Sequence, residues 1–258
     1  MFWTKLHVYL LVPSFIIFIL AAWFIGYKLK DKSERIQRLP LQIVTGLILI
    51  LELWKQIRGF IVGYDLYWIP LHFCSLFLYT LPLAAYYNGK HKEALKVLAG
   101  IVASCLFLFM AVYPNIVYGD GAIVSAYNYI TFQGGGFSEF HSVTFHGLAL
   151  FSFFLFVFQN ICTFDTKRDL KVLLIFFLGY CLIVGTLSQV IQTNFNNFYH
   201  SNAPFLEDFR LSMIDKLGYG GQIIYVLMIS AGTLVVPTLA YFVLRGLSYL
   251  NRKYLIKK

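Results

Sequence analysis

The sequence predicts an all-α, polytopic membrane protein of about seven transmembrane helices. Three observations predict it. Of 258 residues, 59% are hydrophobic and 13% charged, against roughly a quarter charged in a soluble domain. Apolar runs near 20 residues, long enough to cross a hydrocarbon core, recur along the chain. The basic residues gather in the connections between those runs, on alternate sides.

Span 1, about 7–27, follows a single charge, Lys5, and ends in a basic run. It is longer than a signal-peptide core and is read as retained. Span 2 is about 41–63, span 3 about 66–87 and span 4 about 94–114; span 5 is about 140–162, span 6 about 170–192 and span 7 about 222–247. Loop charges set the orientation. One side carries Lys28, Lys30, Lys32, Arg35 and Arg38, then Lys90, Lys92 and Lys96, then Lys167, Arg168 and Lys171, and finally Arg245, Arg252, Lys253, Lys257 and Lys258. The other side carries Lys5, Arg210 and Lys216, while Lys55 and Arg58 fall inside span 2. The positive-inside rule then puts the N-terminus outside and the C-terminus inside.

Two outer loops are long. The 115–139 loop contains Gly134-Gly135-Gly136, a hinge or close-approach element. In the loop at about 193–221, Asn202 can cap a helix, Pro204 suits its first turn and Gly218 can end it. Phe205, Phe209 and Met213 then share one face, which predicts a short amphipathic helix at the outer interface. No linker or charge block marks a second unit, so residues 1–258 read as one membrane domain. No internal repeat is visible in the sequence, unlike the halves of many transporters.

The net charge of +9 follows membrane topology and gives no reason to invoke nucleic acid. Cys74, Cys105, Cys162 and Cys181 lie within or at the ends of apolar runs, which is no disulfide framework. Cys105, Cys162 and Cys181 read as small apolar packers. There is no G-x-S-x-G, Walker loop or dinucleotide fingerprint and no metal-ligand spacing, so neither a cofactor nor a metal is expected.

Ionisable side chains are costly at membrane depth and usually face a bundle interior or a wet cavity. Here they cluster. Span 2 carries Glu52, Lys55 and Arg58; span 3 carries His72, Cys74 and Ser75; span 5 carries His141 and His146; span 6 ends in Gln189, Gln192 and Asn194. A rise of 1.5 Å per residue places Lys55 and Cys74 roughly 12 Å and His146 roughly 9 Å below the outer helix ends. Glu52 and Lys55, three apart, share a face and can pair. On a regular helix His72 and Cys74 would point about 200° apart. Of His141 and His146, only His146 is expected at the cavity centre, with His141 and Arg58 at its mouth.

The runs E-L-W-K (Glu52–Lys55), I-P-L-H-F-C-S (Ile69–Ser75), F-H-G-L-A-L (Phe145–Leu150) and T-N-F-N-N-F-Y (Thr193–Tyr199) resemble the YwaF-like bacterial integral membrane proteins. That family is similar to the eukaryotic transmembrane acyltransferase of ether phospholipids and, remotely, to transmembrane threonine hydrolases of fatty-acid esters. The resemblance implies that Cys74 is a nucleophile and His146 its catalytic histidine. It matches Glu52 and Lys55 to a polar stretch of the preceding helix, and Asn194 and Asn196 to an N-x-N stretch. Ser75 stands where the acyltransferase has a histidine, and His72 precedes the cysteine instead.

The expected function is a membrane-embedded lipid acyltransferase or lipid ester hydrolase of the bacterial cytoplasmic membrane. Cys74 would attack a membrane lipid and His146 would take its proton. Polar support would come from Glu52, Lys55, His72, Gln189, Asn194 and Asn196. A second expectation, of another class, is a binding or transport protein whose outer pocket holds a small molecule or lipid against Glu52 and Lys55. A third is an accessory subunit ordered by the same polar cluster.

Overall fold

The computed structural model describes residues 4–116, 118–201 and 203–255. Among these the elements are helical throughout: α1 Lys5–Leu29, α2 Glu34–Gln37, α3 Leu39–Val62, α4 Leu76–Tyr86, α5 Lys92–Val112, α6 Asp120–Ile130, α7 Phe137–Phe158, α8 Thr166–Val190, α9 Pro204–Leu217 and α10 Tyr219–Leu250. The expected cap Asn202 and the basic residues Lys257 and Lys258 lie outside the described residues.

Local chemistry explains the boundaries. Thr4 opens α1 by accepting the His7 amide at 3.3 Å, and Asp165 opens α8 by accepting the Arg168 amide at 2.9 Å, each satisfying a donor that a helix start leaves bare. Pro40 sits in the first turn of α3, where a missing N–H costs nothing. Gly218 ends α9 at a φ of 56°, a conformation glycine adopts without Cβ strain.

Six stretches are long and apolar enough to cross a membrane: Lys5–Leu29, Glu34–Val62, Lys92–Val112, Phe137–Phe158, Thr166–Val190 and Tyr219–Tyr254. They match the expected spans 1, 2, 4, 5, 6 and 7. The middle of the bundle is α5, which packs against α4, α7, α8 and α10. Its residues from Ala94 to Leu106, apart from Leu95, are buried. Phe153, Leu155 and Phe156 of α7 are at most 1% exposed and complete the core. Large apolar side chains of α1 and α3, such as Ile17, Ile50 and Leu53, point outward, as lipid-facing positions must.

Two expectations are corrected. The third span is not one helix over 66–87. It is a short 3₁₀ turn at Leu66–Trp68, an extended stretch, a second 3₁₀ turn at Phe73–Ser75, and the 11-residue α4. Pro70 is the physical reason: it drives the preceding Ile69 to extended backbone, observed at φ −57° and ψ 129°. The 115–139 loop, expected on the outer side, is also not structureless. It contains α6, which packs on α7. Gly135 lies so close to the Ser125 carbonyl that a Cβ there would overlap it, and the Gly136 amide donates to Ser125 Oγ at 2.8 Å. The glycines thus fasten α6 against the start of α7. In the 193–221 loop α9 forms where expected, has no buried residue, and packs on α10.

Candidate functional site

The break in the third span builds the site. Extended backbone within a bilayer survives only where its polar groups find partners in protein or water. Four of its acceptors are answered by side chains. His72 Nε2 donates to Tyr67 O at 2.9 Å, Gln56 Nε2 to Trp68 O at 3.0 Å, the Tyr79 hydroxyl to Pro70 O at 3.0 Å, and the Tyr180 hydroxyl to Leu71 O at 2.9 Å. Helices α3, α4 and α8 therefore hold the unwound segment in place.

A cavity of about 410 Å³ lies against it. Tyr67, His72 and Cys74 form one wall, Ser142 and His146 another, and Asn194, Asn196 and Asn197 close it. An adjoining recess of about 160 Å³ shares Tyr67, His72, Cys74, Ser142 and His146 and adds Glu52, Lys55 and His141. His72 is not on a helix. Its backbone is extended, at φ −65° and ψ 157°, so His72 and Cys74 line the same cavity instead of diverging. Both His141 and His146 reach the recess. His141 is only 7% exposed and belongs to the interior, not to the mouth.

The cavity groups are held in defined states. His146 Nδ1 lies 2.7 Å from Ser142 O; a carbonyl only accepts, so Nδ1 carries the proton and Nε2 offers a bare lone pair. By the same logic, the His72 proton sits on Nε2. The His146 ring is steadied edge-on by Tyr118, 5.8 Å between centroids, and by Phe145 at 5.5 Å. Cys74 stands at the N-terminal edge of the helical run that becomes α4. Ser75 N–H is bonded back to His72 O at 2.9 Å, so the amides of Phe73 and Cys74 precede the intrahelical ladder.

Glu52 and Lys55 pair at 2.7 Å. Gln56 Nε2 donates to Glu52 Oε1 at 2.6 Å, and His141 Nε2 stands 3.3 Å from Glu52 Oε2, close but not aimed for a hydrogen bond. Arg58 lies over the Phe137 ring at 5.0 Å and lines a neighbouring recess with Lys55.

Gln189 does not line the cavity. Its Nε2 donates to Phe198 O at 2.7 Å and its Oε1 accepts from Gln222 at 3.1 Å. Gln222 also donates to Tyr199 O and accepts from Arg210, and Glu207 pairs with Arg210 and accepts the Ser201 amide at 2.7 Å. This chain of bonds straps the 194–201 loop, which carries the three asparagines. Asn194 Oδ1 accepts the His200 amide at 3.3 Å, and Asn196 Nδ2 donates to Thr233 at 3.1 Å. Asn196 and Asn197 both have positive φ, 50° and 61°, which asparagine tolerates better than most residues.

Tyr67, Ser142 and Asn197 were not singled out in the sequence. The Asn196-Asn197 pair was the available signal for a sharp left-handed bend. Ser142 stands four residues before His146 and shares its helix face, whereas Tyr67 carried no signal because it reaches the cavity through the break in the third span.

A bundle of long apolar helices around a cavity with polar lining defines a multi-pass α-helical membrane protein. The model of the TMEM164 family matches residues 2–242, and the chain belongs to that family. Neither a curated protein nor a solved structure matches it.

Proposed function

We propose that this is a membrane-embedded lipid acyltransferase or lipid ester hydrolase that works from the outer leaflet through Cys74 and His146. The observation that carries the reading is that Cys74 and His146, 72 positions apart, line one cavity while the bare Nε2 of His146 is left free to take a proton. The resemblance to the ether-phospholipid acyltransferase, by way of the YwaF-like proteins, points the same way.

The steps follow from these groups. His146 Nε2 takes the Cys74 proton and the thiolate attacks the carbonyl carbon of a lipid ester. The tetrahedral oxyanion would be met by the Phe73 and Cys74 amides at the positive end of α4, with Asn194, Asn196 and Lys55 as further donors. Collapse breaks the ester C–O bond, the departing alkoxide takes the proton from His146, and the acyl group remains on Cys74 as a thioester. An acceptor hydroxyl or water then gives its proton to His146, attacks the thioester and releases the thiol. No cofactor is called for. Glu52, His72 and His141 would tune the recess, Gln189 would act through the loop it straps, and Arg58 would shape the approach.

The topology belongs to the same proposal. The broken segment and α4 together make the seventh crossing of a single domain. The N-terminus and the cavity then face outward, and the basic ends face the cytoplasm of a bacterial cell. Transport is less well supported, because a route through the bundle would have to pass the packed core of α5 and α7.

The test is acyl capture. The purified protein, given a phospholipid with a labelled acyl chain, should form a hydroxylamine-sensitive adduct that maps to Cys74. Cys74→Ala should abolish the adduct, and His146→Ala should slow its formation by about 10²–10⁴-fold. Undiminished acyl turnover in folded Cys74→Ala would overturn the reading.

A further inference from the structure

We infer that a second ligand site lies at the opposite end of the bundle, where Lys30 and Arg252 hold the phosphate of an anionic lipid headgroup. Helix directions alternate, so the end of α1, the end of α7 and the end of α10 share the face remote from Cys74. Between them lies a cavity of about 350 Å³ lined by Lys30, Gln37, Gln159, Asn160, Thr163 and Arg252.

Its charge is uncompensated. Among the described residues, no carboxylate lies within ion-pair distance of Lys30 or Arg252. The adjoining recess contrasts with it: there Glu34 is met by Arg38, Lys92 and Lys96, and Glu93 by Lys96. Arg252 is also pre-positioned. Its Nε donates to Asn160 Oδ1 at 3.2 Å and its Nη2 to Cys162 O at 2.6 Å. Asn251 donates to the Val157 and Phe158 carbonyls at 3.0 and 3.2 Å, fixing the end of α10 to the end of α7. Two cations that line one polar cavity and pair with no carboxylate make a phosphate receptor.

The depth selects a lipid as the source. Tyr27, Tyr249 and Tyr254 are exposed around the same end, and the ammonium groups of Lys30 and Lys253 lie over their rings at 5.0 to 5.9 Å. Such an aromatic and basic girdle marks the headgroup level of a bilayer. An anion reaching the cavity there arrives on a glycerophosphate lipid more readily than free in solution.

The experiment is native mass spectrometry of the delipidated full chain, titrated with phosphatidylglycerol and, separately, with glycerol phosphate. The protein should retain phosphatidylglycerol. Lys30→Gln, which breaks no ion pair and so spares the fold, should weaken retention by about fivefold, the worth of one lysine near an anionic surface. Lys28→Gln, on the same face but outside the cavity, should leave retention unchanged, and Lys30→Arg should restore it. Equal retention by the protein and Lys30→Gln would overturn the site, as would equal losses in Lys28→Gln and Lys30→Gln. Glycerol phosphate competing as well as the lipid at equal concentration would overturn the lipid assignment.

Discussion

Neutralising Glu52 should destabilise the protein far more than removing the whole ion pair. The Lys55 Nζ to Glu52 Oε1 distance is 2.7 Å, and the two side chains are 17% and 10% exposed. At an effective dielectric of 20 that separation gives roughly 6 kcal/mol of gross attraction, much of it offset by desolvation of both groups. Glu52→Gln keeps the shape and the bond to Gln56 but leaves the Lys55 ammonium without its counter-charge. The expected cost is about 3 kcal/mol, the low end for an orphaned buried charge because Lys55 retains some exposure. Lys55→Met should cost a similar amount by orphaning Glu52. The double variant Glu52→Gln/Lys55→Met has no charge left to solvate and should fall within about 1 kcal/mol of the parent. Denaturant unfolding in one fixed detergent measures all four corners of the cycle. Strictly additive losses, or single variants as stable as the parent, would refute the reasoning, because they would mean that water already screens the pair.

Three further outcomes test the frame around the cavity. Gln222→Leu strips Tyr199 O and Gln189 Oε1 of a donor, worth about 2–4 kcal/mol locally; hydrogen exchange across 194–201 should quicken by at least about tenfold, and unchanged exchange would remove the strap. The Arg210 guanidinium holds the Glu207 carboxyl below its usual range. A depressed folded value stabilises above the unfolded carboxyl pKa of about 4.3 and is lost as pH falls through the folded one. Proteolysis of the 194–201 loop should therefore rise only as pH falls below about 4, and Glu207→Gln should raise it at neutral pH and flatten its acid dependence. A Cβ at Gly26 would overlap the Phe158 carbonyl, so Gly26→Ala should cost about 1–3 kcal/mol by lifting α1 from α7, whereas Gly46→Ala, with open space around it, should be neutral in thermal unfolding.

What the sequence disclosed and what it concealed follow from one distinction. Runs such as Lys5–Leu29 and Thr166–Val190 announce themselves because crossing lipid demands uninterrupted apolar length. The pairing of Glu52 with Lys55 was legible because three residues on a helix is a fixed geometry. The angular argument that separated His72 from Cys74 failed because it assumed a helix through Pro70, and the proline had already broken it. Placing His141 at the mouth failed for a related reason: depth was counted along the chain, whereas the start of α7 is covered by α6, an element hidden in a stretch whose Gly134-Gly135-Gly136 suggested only a loop. Gln189 has the polar character of a site residue, but no local pattern says that its amide is spent on the Phe198 carbonyl.

The broken third span ties these points together. A regular helix over 66–87 would satisfy its own backbone and could slide or rotate with little penalty. The unwound segment instead borrows partners: Gln56 from α3, Tyr79 from α4, Tyr180 from α8 and His72 from within itself. Each bare carbonyl would cost about 1–3 kcal/mol in a water-poor interior, so the segment is pinned by whichever neighbours supply those donors. That pinning fixes the entry of α4, and with it the position of Cys74 relative to the wall that carries His146. The polar residues around the cavity therefore divide into two sets. Gln56, Tyr79, Tyr180 and Gln189 are consumed in holding irregular backbone. Cys74 from the broken span, His146 from α7 and the asparagines of the 194–201 loop are left to line the cavity.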